Sequence, residues 1–371
     1  MLQSKMDSRN ELEEEIYEIF KPLFTLFYAL GIHAETERNG RGNFFQKIHS
    51  LYFFSFVAIN LIHEIFLVNL VTEAEWFKIV FSHALIQVLG TVQALMLYRK
   101  RSTLSHVVLQ LENALRPLKP FLELNRRNAA RKKVIAAILI LAVFHFGISS
   151  IYARIDIFLM RGTKLPLEYA FNMDVTSKTT EIIVHYTTLC RQMNFIWMDS
   201  FLLYYCLVCR ILSSAFLRCR DVLNERVACS HFLYLHNSVA KAVFAVDDAY
   251  SPQIFTCCSL QLITLFLQVF LLRNISHVGI FYYYLFSGWI SMTFLITGIF
   301  AFSVAESASK VKESVYFMRF NVHFESWSEM FFKIMMMEVR LTMWKVIDIR
   351  RITILSVLGA FFTYTVIIMS L

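Results

Sequence analysis

"ITILSVLGAFFTYTVIIMSL", residues 352–371, runs for twenty residues without a charge. As a helix rising about 1.5 Å per residue, such a run just crosses a hydrocarbon layer about 30 Å thick. Water tolerates little apolar surface of that extent. The stretch is therefore either a last core element or a membrane helix that finishes at the far side of the bilayer. The other residues of the chain decide between them.

Of the 371 residues, 57% are hydrophobic and only 17% charged, with 36 Phe. Soluble domains run nearer 45–50% apolar and about 25% charged. The mean hydropathy of +0.53 agrees. Ten Gly and five Pro are too few for a turn-rich all-β fold or for disorder. The expected class is all-α: a polytopic membrane protein with one continuous membrane domain. The opening "MLQSKMDSRNELEEEIYEIF" is acidic and amphipathic and lacks the apolar core of a signal peptide.

Seven windows reach spanning length, at about residues 48–72, 76–98, 134–160, 182–208, 253–272, 280–305 and 352–371. "PLFTLFYALGI" at 22–32 is too short to span and reads as an interfacial or re-entrant helix with Pro22 at its start. The segments between spans alternate in charge. Residues 1–47, 99–133, 209–252 and 306–351 hold 29 of the 36 Lys and Arg, and the segments of the opposite side hold 4. Basic residues collect on the cytoplasmic side, so the N-terminus is expected inside and the C-terminus outside. The +8 net charge is then a matter of loop placement, not of nucleic-acid binding. This orientation excludes G-protein-coupled receptors, whose N-terminus faces outward.

Asn274, in "NIS", falls on the outer side and is a possible glycosylation acceptor, close to the membrane. The seven Cys sit in spans or on the inner side, which suits reduced thiols. "CLVC" at 206–209 has metal-like spacing. Without a second ligand pair it reads as buried cysteines at a helix end, so no metal is assigned. "HEIFL" at 63–67 lacks the second His of a zinc-binding helix. Phosphate loops, a nucleophile elbow and redox cofactor boxes are missing as well. The chain reads as a non-enzyme without a cofactor.

Polar groups inside a span are costly and mark candidate sites. On the outer halves these are Tyr152 and Asp156 in the third span and His185, Tyr186 and Arg191 in the fourth. Gln268 follows in the fifth span, then Tyr283, Tyr284 and Trp289 in the sixth, with His83 and Gln87 in the second. Aromatic walls with a few polar groups suit a small organic ligand. Tyr and Trp near span ends also form interfacial belts. Arg191 and Asp199, two turns apart, read as a structural pair.

Seven spans, the inverted orientation and Thr363–Tyr364 in the last span resemble the insect gustatory receptor family, relatives of insect odorant receptors. The family signature is Thr-Tyr, five apolar residues, then Gln-Phe; here Ser370 and Leu371 stand at the last two places. "MEVRLTMWKVIDIRRITILSVLGAFFTY", with Asp348 before the span, resembles the family's approach to that helix, and "KPLFTLFYALGI" its N-terminal start. The resemblance implies a ligand-gated cation channel of four subunits, homomeric or with related receptors, in the plasma membrane of chemosensory neurons. It implies a cytoplasmic N-terminus (1–47), a six-helix ligand-binding domain (48–305), a cytoplasmic anchor (306–351) and a pore-lining helix (352–371). Apolar spacing across 314–348 suits a helical anchor. The length leans towards a bitter-type or orphan receptor over a sugar receptor. Thr363, Ile367, Ser370 and Leu371 share one face and are the expected pore and gate positions. The alternative is a secondary transporter of a small organic solute, coupled through Asp156 and Arg191; no inverted repeat supports it.

Overall fold

In hydrocarbon every backbone N–H and C=O must find its partner inside the chain, so long apolar runs close as helices. The computed structural model describes residues 15–33, 42–70, 74–116, 118, 125–163, 178–224, 229–272, 277–318, 332–343 and 345–370. In chain order the elements are α1 (Glu15–Ala29), α2 (Gly42–Leu70), α3 (Ala74–Arg99), α4 (Arg101–Leu115) and α5 (Asn125–Thr163). Then come α6 (Lys178–Asn224), α7 (Cys229–Leu272), α8 (His277–Met318), strands β1 (Thr342–Met343) and β2 (Ile347–Asp348), and α9 (Arg351–Ser370). Among the described residues the fold is all-α apart from that pair of two-residue strands.

Seven of these helices carry the seven apolar windows. Among the described residues α5, α6, α7 and α8 are long and apolar enough to cross a membrane, and shorter apolar helical stretches lie in α2, α3 and α9. Helix α6 is the hub, packing on α1, α2, α3, α5, α7 and α8. Its residues 192–202 are buried around the whole circumference, the polar Gln192, Asn194, Asp199 and Ser200 included. Helix α9 rests chiefly on α7 and α8.

Pro22 lies inside α1, not at its start. The proline removes one rung of the helix. The apolar stripe Ile16, Phe20, Leu23 and Phe27, buried against the bundle, runs across that position and holds the helix together. Gly31 ends the element at φ +83°, where the Ile32 N–H donates to the Phe27 carbonyl (2.8 Å) and the Gly31 N–H to Tyr28 (3.0 Å). That pairing is the Schellman arrangement, which needs a left-handed residue at this place. Trp197 of α6 then donates to the Leu30 carbonyl (3.0 Å) and ties α1 to the hub.

The helical spacing expected through residue 348 does not hold. Residues 332–336 are helical, but Thr342–Met343 and Ile347–Asp348 pair as antiparallel strands, with Thr342 facing Asp348 and Met343 facing Ile347. The tip of this hairpin passes through Lys345 at φ +58°, a left-handed conformation that a helix does not use.

Helices α3 and α6 approach closely at Gly90. A Cβ placed there would meet Asn194 Cβ at 2.9 Å. Gly90→Leu is expected to cost about 1–3 kcal/mol by overpacking and to part Asn194 from Gln87. A fall in the melting temperature of the detergent-solubilised protein checks it, and an unchanged melt contradicts the close packing.

Candidate functional site

The interior of the bundle is apolar with a band of buried polar groups, each bridging two helices. Asn60 of α2 donates to the Cys190 carbonyl of α6 (2.9 Å). Asn194 of α6 donates to Gln87 Oε1 (2.8 Å) and Thr91 Oγ1 (3.3 Å) of α3. Gln261 of α7 donates to Thr293 of α8 (2.9 Å). Ser287 of α8 donates to Gln268 of α7. Such groups are tolerated in an apolar setting because they are hydrogen-bonded across helices.

The band centres on Asp199. His145 Nε2 of α5 lies 2.9 Å from Asp199 Oδ2, and Trp289 Nε1 of α8 donates to the same oxygen at 2.6 Å. His145 is fully buried and Asp199 is 4% exposed. Phe144 stacks on Trp289 with ring centres 3.8 Å apart and planes 14° from parallel. One carboxylate thereby fastens α5, α6 and α8 near the middle of their apolar stretches. Among the described residues no hydrogen-bond partner reaches Asn60 Oδ1, Gln192 Oε1, Asn194 Oδ1, Asp199 Oδ1 or His145 Nδ1. The first four are acceptor oxygens, so the interior is biased towards a guest that donates hydrogen bonds.

Of the residues expected from sequence, Trp289 and Gln268 lie in this band. His185 and Tyr186 are exposed, and Tyr284 is 63% exposed. Gln87 is buried against Asn194. Asn274 and Leu371 lie outside the described residues, as do the side chains of His83, Tyr152, Asp156, Arg191, Tyr283 and Ser370. The pairing read between Arg191 and Asp199 falls outside the described residues; within them, Asp199 meets His145 and Trp289. The signal for His145 was present as a titratable residue in mid-span. Its partner was hidden because it lies 54 positions away.

On α9 the half-covered residues Ile354, Val357, Leu358, Phe361 and Thr365 form the stripe that meets α7 and α8, with Phe361 on Phe266 at 5.3 Å. Thr363 and Ile367 point the opposite way, and Thr363 Oγ1 donates to the Gly359 carbonyl of its own helix (2.9 Å). Tyr364, next in the Thr-Tyr pair, is 57% exposed and meets Phe266 edge-on at 6.1 Å. Cys206 and Cys209 are buried, and Cys206 Sγ lies 3.8 Å from Thr297 Oγ1.

The base of α9 is built on charges. Asp348 takes Arg340 (2.7 Å) and Arg350 (3.0 Å), and its carbonyl accepts from Thr353 Oγ1 (3.0 Å). Lys345 reaches Asp247 and Asp248, each at 2.6 Å. Partial burial alone would lower the Lys345 pKa, but the two carboxylates outweigh it and raise it.

No protein-family model and no curated protein sequence matches the chain. Among solved structures, the insect olfactory receptor OR5 from Machilis hrabei in complex with eugenol aligns with 96% of this chain and 99% of its own, at TM-score 0.63 and 11% identity. A second structure of that receptor aligns with 94% of this chain and 98% of its own, at TM-score 0.63 and 12% identity. At such identity the likeness is one of fold, and it runs nearly end to end.

Proposed function

We propose that the chain is a chemoreceptor of the insect type, a ligand-gated cation channel opened by a small organic compound. The observation that carries this reading is the nearly end-to-end likeness of fold to an olfactory receptor held with eugenol. Within that fold, Thr363–Tyr364 in α9 and Asp348 before it favour a gustatory-type receptor, bitter-type or orphan rather than sugar-responsive. The compound sits inside the bundle of α2, α3, α5, α6, α7 and α8 (residues 48–305). Its hydroxyl or amine groups donate to the buried acceptors around Asn194 and Asp199, and Trp289 supplies an aromatic wall. Tyr152, Asp156, His185, Tyr186, Tyr283 and Tyr284 complete the proposed pocket towards the outer side.

Four copies, identical or mixed with related receptors, surround a pore lined by α9. Residues 306–351 act as the cytoplasmic anchor, and residues 1–47 lie on the same side. The basic asymmetry of the loops supports this orientation, with the chain in the plasma membrane of chemosensory neurons.

Whole-cell recording from cells expressing this chain alone tests the reading, with fructose, caffeine, denatonium and eugenol applied in turn. The expected result is an evoked, near-ohmic cation current. Trp289→Ala should cut it about tenfold, a loss within the range of a deleted aromatic contact, at unchanged surface density. A small saturable flux in place of a current would favour the transporter reading.

A further inference from the structure

One turn of α7 faces two ways. On one side, Asp247, only 6% exposed, accepts from the Thr342 N–H (2.6 Å), from Thr342 Oγ1 (3.0 Å) and from Lys345 Nζ (2.6 Å). Ser251, a turn further on, accepts from the Lys345 N–H (2.8 Å), and its Oγ lies 3.1 Å from Thr342 Oγ1. The hairpin that precedes α9 therefore hangs on three side chains of α7, with Asp248 also meeting Lys345 (2.6 Å). On the other side, Lys100 at the α3–α4 junction donates to the Ala249 carbonyl (2.5 Å). Tyr250 OH donates to the Thr103 carbonyl (3.1 Å) and lies 3.1 Å from Tyr204 OH of α6, which itself donates to Leu104 (2.8 Å).

The same turn contains Pro252, which lacks the N–H that would bond the carbonyl of residue 248. A cavity of about 30 Å³ lies further along α7, walled by Ile254 and Cys258, by Phe294 and Gly298 of α8, by Met343 of the hairpin, and by Ile354 at the base of α9. The turn is thus fastened to α3, α4 and α6 by neutral hydrogen bonds and one lysine, and to the hairpin by a buried carboxylate. The cavity leaves room at the base of α9 for the hairpin to shift.

We propose that residues 247–251 of α7 couple the ligand-holding bundle to α9, with Asp247 as the positioning residue that makes the hairpin follow α7. The inference rests on the channel reading of α9. A helix shift of an ångström or two in the bundle is transmitted because the hairpin has discrete partners on α7 and cannot slide past them.

The test is a reversible lock. Ser251→Cys with Thr342→Cys places sulfurs where oxygens now lie 3.1 Å apart, close enough for a disulfide after a small shift. Copper phenanthroline and oxygen take the two electrons and two protons of the thiols, and dithiothreitol returns them. Current is recorded with fructose, caffeine, denatonium and eugenol before and after oxidation, and cross-linking is scored after proteolysis between the two sites. The evoked current should survive oxidation to within about twofold, because the bond only fixes the hairpin to the turn it already follows. Asp247→Asn, which keeps an acceptor for Thr342 but drops the charge, should shift half-maximal concentrations about tenfold at unchanged melting temperature, and Asp247→Glu should restore part of the shift. Cross-linked channels that lose their response and regain it on reduction overturn the coupling role alone, because the hairpin would then have to slide along α7. A wild-type chain without evoked current overturns the channel reading and this inference with it.

Discussion

His145→Leu lowers the melting temperature of the solubilised protein further than His145→Leu combined with Asp199→Asn. The reason is the asymmetry of a buried pair. Asp199 is 4% exposed and Oδ2 is met by His145 Nε2 at 2.9 Å and Trp289 Nε1 at 2.6 Å. Leucine at 145 nearly keeps the volume but strands a carboxylate in an apolar interior, at a cost of about 3–5 kcal/mol. Asparagine at 199 removes the charge and can still accept from Trp289, so the second change returns a large part of the loss. Differential scanning fluorimetry of the four proteins of this cycle measures it. Equal melts for the single and double variants would mean that Asp199 carries no charge needing His145.

Ile367→Ser raises the current that flows without any added compound. Ile367 stands on the face of α9 turned away from α7 and α8 and is 45% exposed. In a ring of four, such side chains close a pore by keeping it dry. A change worth about 0.4 kcal/mol in each of four copies shifts the closed–open balance roughly tenfold. Replacing isoleucine by serine removes more apolar surface than that requires. Leu371→Ser is expected to act the same way. Whole-cell basal current, normalised to surface density, is the readout. If Ile367→Ser leaves basal current unchanged, the gate does not lie on this face.

The spans were legible because the bilayer demands a fixed length of apolar chain. The window 352–371 became α9 at Arg351–Ser370, and 76–98 became α3 at Ala74–Arg99. Helices leaving the membrane were less legible, because their hydrophobic pattern turns amphipathic without stopping. Thus α6 runs on to Asn224 and α8 to Met318, beyond windows that ended at 208 and 305. The hairpin was hidden for another reason. Residues 314–348 carry apolar groups at helical spacing, but the helix ends at residue 336, and Asp247, about ninety-five positions earlier, holds the Thr342 N–H in the hairpin. Asp199 shows the same limit at the site. Nothing near it in sequence points to Trp289, which lies 90 positions away. Local spacing constrains which face a residue takes, and only the packing of α5, α6 and α8 decides what it meets there.

The central claim is that this chain forms a pore along α9. Purified Ile367→Cys protein, reconstituted alone into a planar lipid bilayer, tests it through a positively charged thiol reagent added while current is recorded. The account predicts unitary current steps whose amplitude falls on modification and recovers on reduction. Steps that are absent, or that keep their amplitude after Ile367→Cys is shown to be modified, would contradict it.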